Sequence, residues 1–484
     1  MTIDYDLVII GGTLAARYAA LFAAQFKATV ALVEPEINYQ LIQHQAMSEI
    51  SNIVHNLHDI AAKGIHSQHP ETGDKCQTSV TWPAAKLYTD CVVSNTAQQN
   101  SPANLAALGV DVIIGDGVFQ SSPHLGFAVN QRLLRGRTYL LATGSLRGVP
   151  EIEGLQTTSY LTLSNIWQSL NQSTLPKNWV IIGGVPQSII VAQTLARLGC
   201  SVTLAVKSAS ILPLADPEIA YLLQAQLEVD GVRVLTGKPV TQVKIIEDKK
   251  WVQAGDKAIE TDEILVATHQ EPNIEFLNLS YVGVKRRTGG LVVNDKLQTT
   301  NRRIYACGDV IGGYNFNNVA DYEARIAVQN ALFFPRLRVN YRSIPWALNC
   351  HPGIAEVGLT AAQAKRQFKS EEILVLQQYY KSIAAAQLRD ETTGICKLFV
   401  RRNGEILGAS IVGAEASELI NLIALAIAEK IPVQRLENLS AVYPSFAEMI
   451  SNTAREWSKQ RLNSNHVLQD FLEGFFHFRR NWNF

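Results

Sequence analysis

The run Asp4-Tyr5-Asp6-Leu7-Val8-Ile9-Ile10-Gly11-Gly12-Thr13-Leu14-Ala15-Ala16-Arg17-Tyr18-Ala19-Ala20, continued to Glu34, decides the fold. Residues 5–10 are apolar and β-branched, the pattern of a short buried strand. Gly11-Gly12-Thr13 reads as a turn, residues 14–26 as an Ala-rich helix, and residues 28–33 as a second buried strand that stops at Glu34. The product is a βαβ unit with an acid at the end of its second strand. A helix N-terminus offers unpaired N–H groups and a positive dipole end to a pyrophosphate, here through Gly11, Gly12, Thr13, Leu14, Ala15 and Ala16. The Glu34 carboxylate can accept hydrogen bonds from a ribose. Of the pattern G-x-G-x-x-G only the first glycine is present; Thr13 takes the second place and Ala16 the third. Ala16 costs little, because the third glycine serves helix–strand packing, whereas Thr13 stands where the backbone must approach phosphates.

The 484 residues suggest about three domains. An apolar share of 47% is ample for a core. Lys plus Arg and Asp plus Glu both number 43, so charge gives no sign of nucleic acid as a partner. The six cysteines (Cys76, Cys91, Cys200, Cys307, Cys350 and Cys396) lie far apart, with no C-x-x-C and no zinc spacing. That usage fits a reducing, cytoplasmic compartment, with each thiol a small core residue. The chain goes directly into a strand without a secretory signal. No apolar run reaches the about 18 residues a membrane helix needs, and residues 419–428 read as a core helix.

Residues 35–100 read as polar and irregular with helical patches. Strand character returns at 110–119, and a buried strand runs into the small-residue turn Ala142-Thr143-Gly144. Residues 150–154 resemble a linker. A second βαβ unit follows: strand 179–182, turn Gly183-Gly184-Val185-Pro186-Gln187-Ser188, helix 189–198, strand 201–206. Residues 264–268 repeat the strand-to-small-residue pattern of 140–144, so one nucleotide-binding plan occurs twice. Residues 303–309 form a strand that delivers Asp309 to its end, and a helix follows at 318–334. After residue 343 come a three-strand meander (373–380, 395–401, 406–412) and helices at 416–430 and 446–462, an α+β arrangement.

These motifs in this order resemble the pyridine nucleotide–disulfide oxidoreductases, the family of glutathione reductase, dihydrolipoamide dehydrogenase and mercuric reductase. The resemblance covers residues 4–462 and rests on Gly11, Ala16 and Glu34, on Ala142-Thr143-Gly144, on Gly183, on Ala267-Thr268, on Cys307-Gly308-Asp309, on Ser343-Ile344-Pro345-Trp346 and on residues 394–413. It implies an α/β fold with two Rossmann-like dinucleotide-binding domains, one inserted in the other, plus an α+β C-terminal dimerisation domain. The implied segments are 1–150 (FAD domain), 151–272 (NAD(P)-type domain), 273–340 (FAD domain, continued), 341–462 (dimerisation) and 463–484 (tail). It further implies FAD as cofactor, Asp309 on the flavin ribitol with Val310 and Ala320 beside it, and a homodimer.

The departures carry the functional message. The family places a C-x4-C pair on the helix after the second strand. An ungapped count from Glu34 puts Ile42 and Met47 there, so thiolate chemistry is excluded at those positions. The family's Lys falls near Ile50 or Ser51, and its Glu partner, seven residues after Gly183, is Ile190. Losing both together is coherent, since either charge alone would be buried and unpaired. The His-Pro dyad becomes Tyr443-Pro444 with Glu448, leaving Tyr443 and Glu448 as the candidate catalytic pair; Tyr is a poor base at pH 7. At the second turn Val185 replaces a glycine and His269 replaces the glycine of the second small-residue motif. Gly183, Val185, Gln187, Ser188, Lys207 and His269 form a second nucleotide site for NADPH, for another nucleotide such as a second flavin, or for nothing. Lys207 is either a 2′-phosphate reader or a solvated strand end.

Five histidines (His44, His55, His58, His66 and His69) crowd residues 43–69, but no acid or cysteine ligand accompanies them, so no metal site is assigned. His44 sits where the family's disulfide helix faces the flavin. The tail from Phe471 combines aromatics with Arg479 and Arg480; it either makes a peripheral membrane contact or docks on protein, the latter being favoured because one short segment binds membranes weakly. The expected function is an FAD-dependent oxidoreductase-like flavoprotein without an active-site disulfide, fed by NADPH, by an electron-transfer protein or by a second flavin. The alternative is a non-catalytic flavin-bearing binding or structural protein docked through its tail.

Overall fold

The computed structural model describes residues 3–35, 37, 39–59, 80–99, 101–170, 174–313 and 316–482. His66 and His69 and the His58 side chain lie outside the described residues. The chain divides into two compact units, one of residues 1–211 and 227–339, the other of residues 212–226 and 340–484.

The first unit holds two all-parallel sheets. Strands β1 (Tyr5–Ile10), β2 (Val30–Glu34), β3 (Val110–Ile114), β4 (Gly136–Leu141) and, late in the chain, Ile304–Ala306 line up in the order 304–306, β4, β1, β2, β3. Helix α1 (Leu14–Gln25) is the crossover from β1 to β2. Ala15, Ala16, Ala19, Ala20 and Ala23 of α1 are buried, and small side chains allow close approach to the sheet. The second sheet contains β5 (Asn178–Ile182), β6 (Ser201–Val206), Val232–Thr236 and Glu263–Val266, with helix Pro186–Arg197 crossing from β5 to β6. Strands buried on both faces read as unbroken Val, Ile and Leu runs, which is why both units are visible in the sequence.

Residues 35–100, expected to be irregular with helical patches, are more helical than that reading. They contain two long helices, α2 (Gln40–Asp59) and α3 (Trp82–Gln99), packed against each other. The reason is chemical: the buried stripe of α2 includes Gln43, His44, Ser48, Ser51 and Asn52 beside Met47. A polar stripe gives no apolar periodicity to detect. The α2 helix also packs on helix Pro186–Arg197, where Arg197 donates to Asn52 Oδ1 at 2.7 Å and pairs with buried Asp230.

The second unit is built on an antiparallel sheet of Trp346–Leu348, Gly353–Gly358, Ile406–Gly413, Ile395–Arg401 and Ile373–Tyr379, in that spatial order. Helices Ala416–Ala428 and Glu448–Asn463 contribute Ile420, Ile423, Met449, Ile450 and Trp457 to a core with Ala355, Val357, Leu398 and Ile411 of the sheet. The register sets Glu356 beside Ser410 and Ser410 beside Lys397. This polar row holds the segment ahead of helix Pro217–Val229: Glu356 Oε1 accepts from the Asp216 N–H and the Ser410 hydroxyl, both at 2.8 Å, and Lys397 Nζ donates to Asp216 Oδ1 at 2.8 Å. The tail forms a helix, His466–Asn481, with no buried residue.

Candidate functional site

The turn after β1 is held by backbone geometry that only glycine supplies. Gly11 has φ +145°, and a Cβ there would lie 2.0 Å from the Ala142 carbonyl oxygen. The turn of the second βαβ motif repeats this at Gly183, with φ +119° and a Cβ 2.0 Å from the Ala267 oxygen. Thr13 resolves the concern raised by its place in the fingerprint. It is the N-cap of α1: its hydroxyl accepts from the Ala16 N–H at 3.1 Å and donates to the Ala142 oxygen at 2.8 Å. Gly144, at φ +70°, leaves room for the Thr13 methyl, since a Cβ there would come within 2.9 Å of it. The threonine side chain is thereby turned onto the end of β4, and the cleft at this turn is lined by Gly11, Gly12, Val33, Pro35, Gly115 and Thr143 among others. Apart from Ala16, whose N–H goes to Thr13, the first amides of α1 have no intrahelical carbonyl to bond.

The Thr143 hydroxyl is buried and without a hydrogen-bond partner, as expected of a group awaiting a polar ligand. Asp309 starts the short turn after Ile304–Ala306, and its Oδ2 accepts from the Ser145 hydroxyl at 3.1 Å. Val310 is fully buried and Ala320 nearly so, which leaves their backbone groups as what they can offer. Gly308 N–H donates to Glu323 Oε2 at 2.7 Å. Asp321, adjacent to Ala320, was not singled out in the sequence. Its Oδ1 is buried without a partner, and burial pushes its carboxyl up to about 6.

Glu34, expected to accept hydrogen bonds from a ribose, has a partner within the chain. Its carboxylate is 1% exposed and is gripped by Arg17, which is 2% exposed: Nε donates to Oε2 at 3.0 Å and Nη2 to Oε1 at 2.7 Å. Arg17 was missed because nothing in the spacing of helix and strand announces a pairing across 17 residues; a lone Arg in an Ala-rich helix face was the available signal.

The second turn is less suited to a pyrophosphate. Val185 caps helix Pro186–Arg197 with no side-chain hydrogen bond, and Pro186 at the first turn brings no N–H. Ser188 is fully buried, and both its amide and its hydroxyl donate to the Val185 carbonyl, at 2.9 and 2.7 Å. Gln187 is largely buried with Oε1 unpartnered, and Lys207 is exposed. His269 is exposed, contacts Glu271 at 3.2 Å, and lies over Gly148, where a Cβ would come within 2.4 Å of its Nε2.

Helix α2 contains no cysteine. Its Met47 is fully buried and Ile42 half-buried, and Ile190 on the facing helix is buried too. His44 Nδ1 accepts from the Trp167 indole N–H at 2.8 Å, which puts the ring proton on Nε2. Burial raises the Cys200 thiol to about 11 and Cys396 to about 12, and holds Cys307 well above its ordinary value, so none of the three is a thiolate at neutral pH. Among the described residues no group of His, Cys, Asp and Glu is placed to hold a metal. Tyr443 is 74% exposed and is not hydrogen-bonded to Glu448, whose Oε1 accepts from the Ser445 N–H at 3.1 Å instead. Among the described residues no helix is long and apolar enough to cross a membrane.

With this geometry in place, comparison with known proteins is direct. The family described as pyridine nucleotide-disulphide oxidoreductase matches residues 5–325, and its dimerisation domain matches residues 344–454. Mercuric reductase of Staphylococcus aureus is 32% identical over 472 residues, 94% of this chain and 83% of that protein. Dihydrolipoyl dehydrogenase of Synechocystis is 30% identical over 475 residues, 92% of this chain and 97% of that one. In fold, the chain is similar to the HOCl-induced flavoprotein disulfide reductase RclA of Escherichia coli (TM-score 0.80, 24% identity, covering 94% of this chain and 100% of that one). It is likewise similar to LpdA of Mycobacterium tuberculosis (TM-score 0.81, 23% identity, 93% and 99%). The chain belongs to the pyridine nucleotide-disulphide oxidoreductase family.

Proposed function

We propose that this protein is an FAD-dependent oxidoreductase that works at the flavin itself, with no disulfide relay. The observation that carries the reading is the contrast between two neighbouring elements. The nucleotide turn of β1–α1 keeps its glycine geometry and an unpartnered Thr143 hydroxyl, while α2, the next helix, has no cysteine and buries Met47. FAD, when bound, supplies a ring that accepts and releases electrons. The chain's own part is to bind its pyrophosphate at the Gly11–Ala16 turn, to hold its ribitol through Asp309, and to exclude water from the α2 side with apolar Met47. The α2 and Pro186–Arg197 helices carry no Lys–Glu pair at the family positions, so the flavin environment there lacks the charged pair of disulfide reductases and is lined by neutral groups. Val185 and Pro186 weaken the nicotinamide site, which favours a protein or second-flavin donor over NADPH. A homodimer through residues 344–454 accompanies this reading.

The second reading, a flavin-bearing binding protein without turnover, draws support from the exposed tail helix, whose Phe471, Phe475, Phe478 and Trp482 present an aromatic face. Anaerobic titration separates the two. The purified protein is expected to be yellow, to resist NADPH and to be reduced reversibly by dithionite, with no long-wavelength thiolate–flavin band. Such a band would refute the loss of the relay; prompt bleaching by NADPH would restore the nicotinamide site. A protein that cannot be loaded with FAD would sink both readings.

A further inference from the structure

The first parallel sheet has two ends of opposite character. Strands β1, β4 and Ile304–Ala306 finish just before Gly11, Ala142 and Cys307 on the nucleotide side, and begin at Tyr5, Gly136 and Ile304 on the other. Helices α1 and Asn317–Leu332 run back from the nucleotide side and are capped at that other end by Phe26 and Phe333. The two capping rings meet edge to face at 5.3 Å. Phe333 is 56% and Phe334 73% exposed, Leu337 is exposed as well, and the Arg336 guanidinium lies 5.4 Å over the Phe334 ring. Around these apolar groups stand Lys27, Arg137, Arg302, Arg303, Arg336 and Arg338, against the acids Asp4, Asp6 and Asp295. Arg303 fastens this end by donating to the Gly136 and Arg137 carbonyls at 2.6 and 3.1 Å. Arg338 is paired with Asp295 at 2.8 Å, and the other five cations have no ion-pair partner among the described residues. Positive charge is thus gathered here in a chain whose Lys plus Arg and Asp plus Glu balance.

We propose that this end of the unit docks on an anionic lipid bilayer. The guanidinium groups meet headgroup phosphates, and Phe333, Phe334 and Leu337 enter the boundary between headgroups and acyl chains. Cations of one sign around protruding apolar rings match a surface that is anionic outside and apolar just beneath, which a bilayer is. Position argues against an acidic redox protein as the occupant. The patch lies a six-residue strand, about 20 Å, from the nucleotide turn, so a carrier bound here would not address a flavin at that turn. Docking by this end instead leaves the nucleotide side turned away from the bilayer.

The purified full-length chain is sedimented with vesicles of phosphatidylcholine alone and with vesicles containing about 30% phosphatidylglycerol. Wild type is expected to bind only the anionic vesicles and to be released as salt rises from about 0.1 to about 0.5 M. Arg137→Gln/Arg302→Gln/Arg336→Gln removes three charges and should weaken partitioning at least about tenfold, and Phe334→Ser by a smaller factor. Both variants should keep the wild-type Tm, because all four side chains are exposed. Binding to neither vesicle, or equally to both, overturns the proposal. So does equal binding by wild type and the triple variant, which would move the contact to another surface, the tail helix first. Salt-sensitive retention on immobilised polyaspartate without vesicle binding would make an acidic protein the occupant and likewise overturn it. The vesicle readout does not depend on flavin reduction, so its failure leaves the flavin reading standing.

Discussion

At the scale of single residues, the chain keeps the glycines that shape a nucleotide turn, and helix α2 contains no cysteine. Gly11 and Gly183 are required by positive φ and by a carbonyl oxygen 2.0 Å from where a Cβ would fall. Thr13 shows how a non-glycine is accommodated: its hydroxyl caps the helix and its methyl fits against Gly144. Asp309 is placed at the end of Ile304–Ala306 with one oxygen accepting from Ser145. Asp309→Ala is therefore expected to lose most bound flavin on gel filtration while Tm in the flavin-free state changes little. Unchanged flavin content would refute the ribitol contact.

At the scale of elements, the polar row across the second unit's sheet is the most consequential feature. Lys397 pairs with Asp216 and Glu218, and Asp216 is buried, so loss of Lys397 alone would strand a buried charge, typically a cost of about 3–5 kcal/mol. Glu356 sits in the same row, and burial raises its carboxyl from 4.5 to about 7. The folded chain thus holds this proton where the unfolded chain has released it. The resulting stability is fully present below pH 4.5 and is lost as pH rises through about 7. A shift of that size amounts to stability on the order of 3 kcal/mol. Glu356→Gln keeps the acceptor for Asp216 N–H and Ser410 but cannot ionise. Its thermal stability should decline less between pH 5 and pH 8 than that of wild type, by several degrees; parallel curves would contradict the assignment.

At the scale of the whole molecule, the family's dimerisation domain matches residues 344–454, and the proposed homodimer uses that region rather than the aromatic tail. Light scattering should give twice the 53.3 kDa chain mass for the full protein. The same doubling is expected after deletion of residues 465–484, and a monomer after that deletion would move the interface into the tail. The tail helix is exposed in the isolated chain, with both arginines in its last turn.

The sequence by itself determined both βαβ units, Asp309 and the C-terminal meander, because strands buried on two faces and tight glycine turns leave unbroken local patterns. The βαβ unit of the opening stretch was legible in its strands, turn and helix, whereas the capping role of Thr13 was not. Only the tertiary structure decided what α2 and α3 are, since the stripe α2 buries is largely polar and has no apolar period. It alone decided that Glu34 belongs to Arg17, that the Ser188 hydroxyl is spent on Val185, and that Lys397 reaches Asp216 across 181 residues. These are hydrogen bonds between groups distant along the chain or turned inward. Their partners are set by how helices and strands pack, and no local rule of composition or spacing encodes that.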